Sequence, residues 1–371
     1  MAAKINTTPA NIPLHGNKIN YRQMHTKSIV TTTALVIFMA SAGCNGSSEK
    51  DIKTDKAFYH WKSVFNPTAY EKETLSALNV KTLYIKFFDV DWDNNSNRPL
   101  PVAPLRIKDT SYLQKDVKII PVIFVTNSCI RHLDSLQAEV LGGKIIDLVN
   151  ATCALYQLHY SEFQMDCDWT ERTREPYFIL LRSIKKQQPA KTLSATIRLY
   201  QIKYRGKTGV PPVDRGMLMS YNMGNLKDPS SANSILDTKE LKKYISGLSL
   251  YPLQLDIALP LFDWKVLFRK DSYAGLIENL PDTFLNNVAF TTISANHYQA
   301  KKDTVLDGYA FNKGDVVRKE TSGYGELLAA EKILAKNISG SQCRISLFHL
   351  DSLILKKYTT HEMENIFSGL H

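Results

Sequence analysis

Short apolar runs alternate with longer amphipathic segments from about residue 57 onward. Such alternation is typical of βα units that build a parallel sheet. Eight runs have the length and composition of strands, namely Ala57–Phe65, Thr82–Asp89, Lys118–Thr126, Glu162–Asp168, Thr192–Tyr200, Met217–Asn222, Gln254–Leu261 and Arg344–Leu350. Helical periodicity marks six further segments, which are Ala69–Asn79, Ser135–Leu158, Thr173–Gln187, Thr238–Gly247, Tyr324–Lys336 and His361–Leu370.

Eight strands with intervening helices predict an α/β fold, the (β/α)8 TIM barrel. The chain has 371 residues, and a barrel needs roughly 250, so we expect one large domain over residues 57–371. About 80 residues separate strands seven and eight, too many for one helix or for a structureless loop. Extra strands are predicted at Asn287–Ile293 and Tyr309–Val317. The sequence therefore predicts a small α+β insertion between strands seven and eight, at about 268–322.

The amino-terminal segment has the pattern of an export signal. Residues 1–28 are basic and contain no acid, and a short apolar run leads to Ser41-Ala42-Gly43-Cys44. That run is shorter than the roughly 20 residues that a spanning helix needs. We therefore expect a signal peptide over 1–43, which resembles that of bacterial lipoproteins, lipidation at Cys44 and a Gly/Ser-rich tether over 44–56. A transmembrane anchor and an ordinary cleaved signal are the alternatives.

The charge distribution limits the kinds of partner that we expect. Four of the ten net positive charges lie in residues 1–43, so the chain from Cys44 onward carries +6. No cluster of basic and aromatic residues is present, so nucleic acid is not an expected partner. The expected contact is a membrane, through the lipid anchor, after export to the outer membrane. The oligomeric state stays open.

Cofactor and metal motifs are missing from the sequence. It has neither C-x-x-C nor a G-x-G-x-x-G that follows a strand, so we predict no organic cofactor and no structural zinc. The spacing of the remaining cysteines predicts no disulfide pairing, although an oxidising compartment would permit one.

Strand four carries the strongest chemical signal. Its residues alternate between an apolar set, Phe163, Met165 and Cys167, and a polar set, Gln164, Asp166, Asp168 and Thr170. Alternate residues of a barrel strand face the interior, and catalytic groups lie at carboxyl ends. Two carboxylates in a buried channel repel each other, which predicts a raised pKa or a firm partner. A buried structural carboxylate is the alternative.

Neighbouring strand ends supply groups suited to a sugar, because aromatic rings stack on C–H faces while polar groups bind hydroxyls. We expect Arg198 of strand five to pair with one of the two aspartates. The set expected to contact substrate comprises Gln164, Arg198, Asn222, Asp256, Tyr59, Trp61 and Trp169. For any single aromatic residue in this set, ordinary core packing is the alternative.

Together these residues resemble the family 18 glycoside hydrolases, which include chitinases and chitinase-like lectins. Asp166 and Asp168 match the last two aspartates of the family's strand-four motif D-x-x-D-x-D-x-E. Met219-Ser220-Tyr221-Asn222 resembles its strand-six motif, and Leu259-Pro260 resembles its strand-seven segment. The resemblance implies a barrel that acts on glycans. The Asp166–Thr170 stretch also resembles a group of exported bacterial lipoproteins, a likeness that implies no activity.

Two positions depart from the family motif. Phe163 stands at the first aspartate, and Thr170 stands at the catalytic glutamate, whose proton a threonine cannot supply; Glu171 is adjacent but out of phase. As a hydrolase, the protein would use Asp168 as acid/base and Asp166 as its partner, with Tyr221 assisting the intermediate. Residues two apart on a strand lie roughly 6.5–7 Å apart, which leaves retention or inversion open.

Two other functions are open. The loss of the glutamate is also expected of a non-catalytic, lectin-like glycan-binding barrel. A metal-dependent hydrolase would draw its ligands from Asp89, Asp91, Asp166, Asp168 or His297, although no two histidines have ligand spacing.

Overall fold

The computed structural model describes residues 52–113, 116–278 and 280–369. The predicted signal peptide, Cys44 and most of the predicted tether lie outside these ranges. In the described part of the chain, no helix is long and apolar enough to cross a membrane.

Eight parallel strands close into a barrel, as the sequence predicts. We number them β1 (Lys53–His60), β2 (Thr82–Asp93), β3 (Lys118–Val125), β4 (Glu162–Asp166), β5 (Thr192–Arg198), β6 (Arg215–Met219), β7 (Leu255–Pro260) and β8 (Gln342–Phe348). Each strand pairs with its sequence neighbours, and β1 pairs with both β2 and β8 to close the ring. Most strand residues are buried, because one face of each strand packs against the helices and the other faces the filled interior of the barrel.

Helices cover the outside of the barrel. They are α1 (Ala69–Ala77), α2 (Asn127–His132), α3 (Ser135–Tyr156), α4 (Arg174–Gln187), α5 (Leu199–Lys203), α6 (Arg205–Thr208), α7 (Thr238–Tyr244), α8 (Tyr324–Ala335), α9 (Ser352–Leu355) and α10 (Thr360–Ser368). Capping boxes start several of them, such as Thr68 with Glu71 before α1, where side chains satisfy free backbone amides. The helical periodicity of the sequence did not predict the four short helices α2, α5, α6 and α9, because none exceeds six residues.

Several boundaries differ from the sequence predictions. β1 begins at Lys53, so the last four residues of the predicted tether belong to the barrel. The predicted strand Ala57–Phe65 is broken after His60, and Val64–Phe65 pairs separately with Arg106–Ile107. β5 ends at Arg198 because α5 begins at Leu199.

The insertion between β7 and β8 contains a five-stranded antiparallel sheet. Its spatial order is Ser272–Ile277, Asp263–Arg269, Val316–Thr321, His297–Ala300 and Phe290–Ser294, with a separate hairpin at Thr304–Leu306 and Tyr309–Phe311. The sheet has its own small core, which includes Leu267, Phe290 and Val317. It begins about five residues before the predicted start of the insertion, and α8 then returns the chain to the barrel.

Two apolar layers surround the strands. The outer layer lies between the barrel and the helices and contains Phe163 and Met165 of β4 and Cys167, which follows it. The inner layer fills the barrel and contains Tyr59, Tyr84, Met217 and Met219. The predicted alternation along β4 is therefore what the structure shows. The cysteines Cys129, Cys153, Cys167 and Cys343 are buried and free.

Candidate functional site

A cavity of about 720 Å³ opens at the carboxyl ends of the barrel strands. Its aromatic lining comprises Trp61, Phe124, Tyr221, Phe262, Trp264 and Phe348. Its charged lining comprises Lys62, Lys86, Asp89, Asp166, Asp168, Arg198, Asp263, Glu278 and Asp351. This mixture of apolar walls and a few convergent polar groups is typical of a small-molecule site.

Asp166 lies at the floor of the cavity, where β4 ends. Its carboxyl group is almost fully buried, and Oδ1 accepts a hydrogen bond of 2.5 Å from Oγ1 of Thr196 on β5. Burial raises the pKa of Asp166 to about 6, against the opposing effect of Arg198 and with help from the charge of Asp168. A carboxyl group with such a pKa exchanges a proton near neutral pH.

Asp168 follows Asp166 and lies closer to solvent. Its side chain is 49% exposed and accepts a hydrogen bond from Nε of Arg198. Burial works against the charge of Arg198, but Asp168 and Asp166 hold the pKa of this guanidinium above its usual value. The predicted pairing of Arg198 with an aspartate is therefore present.

Aromatic rings form one connected wall of the cavity. The ring centroid of Phe348 lies 5.5 Å from Trp61, 5.4 Å from Tyr221 and 6.0 Å from Phe262. Phe262 in turn lies 5.2 Å from Trp264. Burial raises the pKa of Tyr221, so its hydroxyl stays protonated at the mouth of the barrel.

Three more of the predicted site residues belong to this region. Asn222 follows β6 with a φ of 54° and lines the cavity. Tyr59 and Gln164 lie one layer below the floor, where the Tyr59 hydroxyl donates 2.5 Å to Oε1 of Gln164. Both side chains are fully buried, so they support the floor from beneath and do not line the cavity.

The expected substrate contact of Trp169 is wrong. β4 ends at Asp166, so strand alternation no longer sets the direction of this ring. Trp169 is fully buried in the outer layer, stacked on Tyr177 at 5.2 Å, and its Nε1 donates 2.9 Å to the Thr208 carbonyl oxygen.

The expected substrate contact of Asp256 is also wrong. Asp256 is the second residue of β7 and therefore lies at the amino-terminal end of the barrel, away from the cavity. It accepts two hydrogen bonds from Arg215, of 2.9 and 2.6 Å. Arg344 pairs there with Glu162 at 3.2 Å, and Lys118 approaches Glu162 at 2.7 Å. This network closes the bottom of the barrel.

The position that the sequence resemblance aligns with a catalytic glutamate contributes no group to the cavity. Thr170 binds Thr173, with its amide donating 2.9 Å to Oγ1 of that residue. Glu171 is exposed, and neither Thr170 nor Glu171 lines the cavity.

The residues considered as metal ligands do not form one cluster, although Asp89, Asp166 and Asp168 all line the cavity. Asp89 lines the cavity and pairs with Lys86 at 3.0 Å, whereas Asp91 accepts a hydrogen bond from Thr126 at 2.6 Å. His297 lies in the insertion sheet beside Ser294. Across the described ranges, no three His, Cys, Asp or Glu side chains form a group that could hold a metal ion.

Sequence reasoning missed part of the lining. Phe262 and Trp264 come shortly after the carboxyl end of β7, and the rule that functional groups lie at carboxyl strand ends could have identified them. Lys86 was hidden because the register of β2 against β3 shifts between Lys86 and Phe88, and such a bulge redirects side chains.

Comparisons with known proteins concern the fold. No family model matches the chain, and no curated protein matches it. The spore cortex-lytic enzyme SleL of Bacillus cereus aligns with a TM-score of 0.51 at 16% identity, over 86% of this chain and 75% of that one. SleL of Bacillus megaterium QM B1551 gives 0.52 at 11% identity, over 86% and 74%. A chitinase of Chromobacterium violaceum ATCC 12472 gives 0.51 at 9% identity, over 85% and 98%. The chain thus has the TIM-barrel fold of chitinases and spore cortex-lytic enzymes.

Proposed function

We propose that this protein binds a glycan in the cavity at the mouth of the barrel. One observation carries the proposal: a connected aromatic wall, from Trp61 to Trp264, faces the charged floor of Asp166, Asp168 and Arg198. Aromatic faces pack against the C–H faces of sugars, and charged groups form strong hydrogen bonds to hydroxyls. The fold that the chain shares with chitinases supports this choice of ligand.

A glycan array tests the proposal directly. The protein from Ser47 onward would be applied beside the variant Trp61→Ala, which shortens the aromatic wall. Trp92→Ala is the matched control, because Trp92 stacks on His132 at 4.7 Å and does not line the cavity. Specific binding that Trp61→Ala weakens and Trp92→Ala retains would support the proposal. A silent array would contradict it.

Hydrolysis is a second candidate function, favoured by the pKa of Asp166. A carboxyl group with a pKa of about 6 can serve as a general acid near neutral pH. Asp168, paired with Arg198, would then act as the charged partner. These roles reverse the ones expected from the sequence, because Asp166 is almost fully buried whereas the side chain of Asp168 is 49% exposed.

Turnover assays on any glycan that binds would separate the two candidates. If the barrel is a hydrolase, Asp166→Asn abolishes turnover and keeps binding, and Asp168→Asn reduces turnover. If the barrel only binds, the wild-type protein gives no product above the level of Asp166→Asn. Thr170 at the position of the family's catalytic glutamate favours the second result.

Lipidation at Cys44 is part of the proposal and rests on the sequence alone. Ser41-Ala42-Gly43-Cys44 ends a short apolar run, and a diacylated cysteine would hold the barrel at a membrane. Metabolic labelling with a fatty-acid analogue should mark the wild-type chain and leave Cys44→Ser unmarked. Fractionation of the labelled cells would test the expected outer-membrane location.

A further inference from the structure

The cavity wall formed by Trp264 is held from the insertion sheet. Trp264 lies on the strand Asp263–Arg269, directly opposite Glu320 on the strand Val316–Thr321. Its Nε1 donates a hydrogen bond of 2.6 Å to Oε2 of Glu320. The carboxylate of Glu320 is completely buried, so the indole is tied to a fixed, dry acceptor.

The same carboxylate also holds the loop that follows β6. Oγ of Ser234 donates 2.5 Å to Glu320, and Nε of Arg318 donates 2.6 Å to it. Arg318 is also completely buried, and it donates to the carbonyl oxygens of Asp228, at 2.5 Å, and Leu226, at 3.0 Å. The Arg318–Glu320 pair therefore links its own strand to the Trp264 strand and to the loop that follows β6, which we call the β6 loop.

The β6 loop carries a second element of the cavity. Asn222 lies near the start of this loop, its amide donates 2.8 Å to the Ile235 carbonyl oxygen, and the residue lines the cavity. Nδ2 of Asn233 donates 2.8 Å to the Thr321 carbonyl oxygen, which adds a further tie to the insertion. Two walls of the cavity thus depend on one buried ion pair.

A buried ion pair is a costly way to gain stability, because apolar residues of similar volume are often as stabilising. Fixed hydrogen bonds to Trp264 and to the β6 loop are something that apolar residues cannot supply. A preorganised wall lowers the conformational cost of binding a ligand.

We propose that Arg318 and Glu320 are positioning residues, which set Trp264 and the Asn222 loop in the geometry that receives the ligand. This role rests on the proposed function where it concerns the ligand, whereas the position of Trp264 can be measured without any glycan. Neither residue lines the cavity, so both act through others.

The test uses the full chain and removes both charges together. Arg318→Met with Glu320→Leu keeps the apolar volume and leaves no unpaired buried charge. Acrylamide quenching of Trp264 is obtained as the difference between each protein and its Trp264→Phe derivative, which is needed because the chain has four tryptophans. We expect stronger quenching of Trp264 in a variant that still unfolds cooperatively, and affinity for the array-identified glycan that falls about three- to ten-fold, the worth of one net hydrogen bond.

The matched control is Arg269→Met with Asp315→Leu, another Arg–carboxylate pair, which is joined at 2.8 Å and lies at the end of the same sheet. It should leave the quenching of Trp264 unchanged. Glu320→Gln replaces the double variant if the latter fails to fold. Unchanged quenching in a folded Glu320 variant would overturn the proposal. If the wild-type chain binds no glycan, the proposed function fails, yet the quenching result still decides the positioning role.

Discussion

Oγ1 of Thr196 donates a hydrogen bond of 2.5 Å to Oδ1 of Asp166 at the floor of the cavity. The bond joins β4 and β5, and it lies where the carboxyl group of Asp166 is buried and its charged form is therefore disfavoured. It holds the carboxyl group in one orientation, while Arg198 and Asp168 act on its charge from above.

The stability of the protein should depend on the ionisation of Asp166. The folded-state pKa is raised from 3.8 to about 6, so the contribution of this group to stability is complete below pH 3.8 and is lost as the pH rises through 6. We expect Asp166→Asn to gain about 2–3 kcal/mol over the wild-type protein between pH 4 and pH 8. Thermal or urea unfolding across this range measures the difference, and a gap that does not change with pH would refute the expectation.

Glu331 should produce a similar effect at higher pH. Its side chain is fully buried, neither oxygen has a hydrogen-bond partner of normal geometry, and burial raises its pKa from 4.5 to about 8 despite the nearby Gly369 amide. Stability is therefore lost as the pH rises through 8. The stability advantage of Glu331→Gln over the wild-type protein should therefore be larger at pH 9 than at pH 6. Glu139→Gln, at an exposed position, is the control for the substitution itself in the same unfolding experiment.

Trp61 should contribute to glycan affinity out of proportion to its role in folding. Trp61→Ala removes a ring that contacts Phe348 and faces the cavity. We expect about ten-fold weaker binding, from the loss of one aromatic packing partner. Titration calorimetry with a glycan found on the array measures this, against Trp92→Ala. Equal effects of the two substitutions would show that the ring acts through general stability.

The two ends of the barrel should respond differently to loss of an arginine. Arg344→Met leaves Glu162 without its buried partner at the bottom of the barrel and should cost about 3–5 kcal/mol of stability. Glycan affinity should be unchanged, because Arg344 does not line the cavity. Arg198→Met, at the mouth, should weaken binding. Reduced affinity in a folded Arg344→Met protein would argue against this division.

The sequence by itself determined the barrel and the direction of its side chains. Periodicity is a local property, so eight strands and the inward direction of Gln164 and Asp166 could be predicted without knowing any contact. The excess of residues between strands seven and eight likewise predicted the insertion. Cys44 and the export signal stay predictions that rest on sequence alone.

Only the tertiary structure decided how high along the barrel each polar residue lies and which of them meet. Asp256 has the expected inward direction, yet it begins its strand and pairs with Arg215 at the bottom. Trp169 follows the end of β4 and packs beneath α4, where alternation no longer applies. Strand ends and register depend on pairing with distant segments, and so does the contact of Trp264 with Glu320. Hydrophobic alternation tells which face of a strand is buried but not which distant segment packs against it, which is why the lining of the cavity required the folded chain.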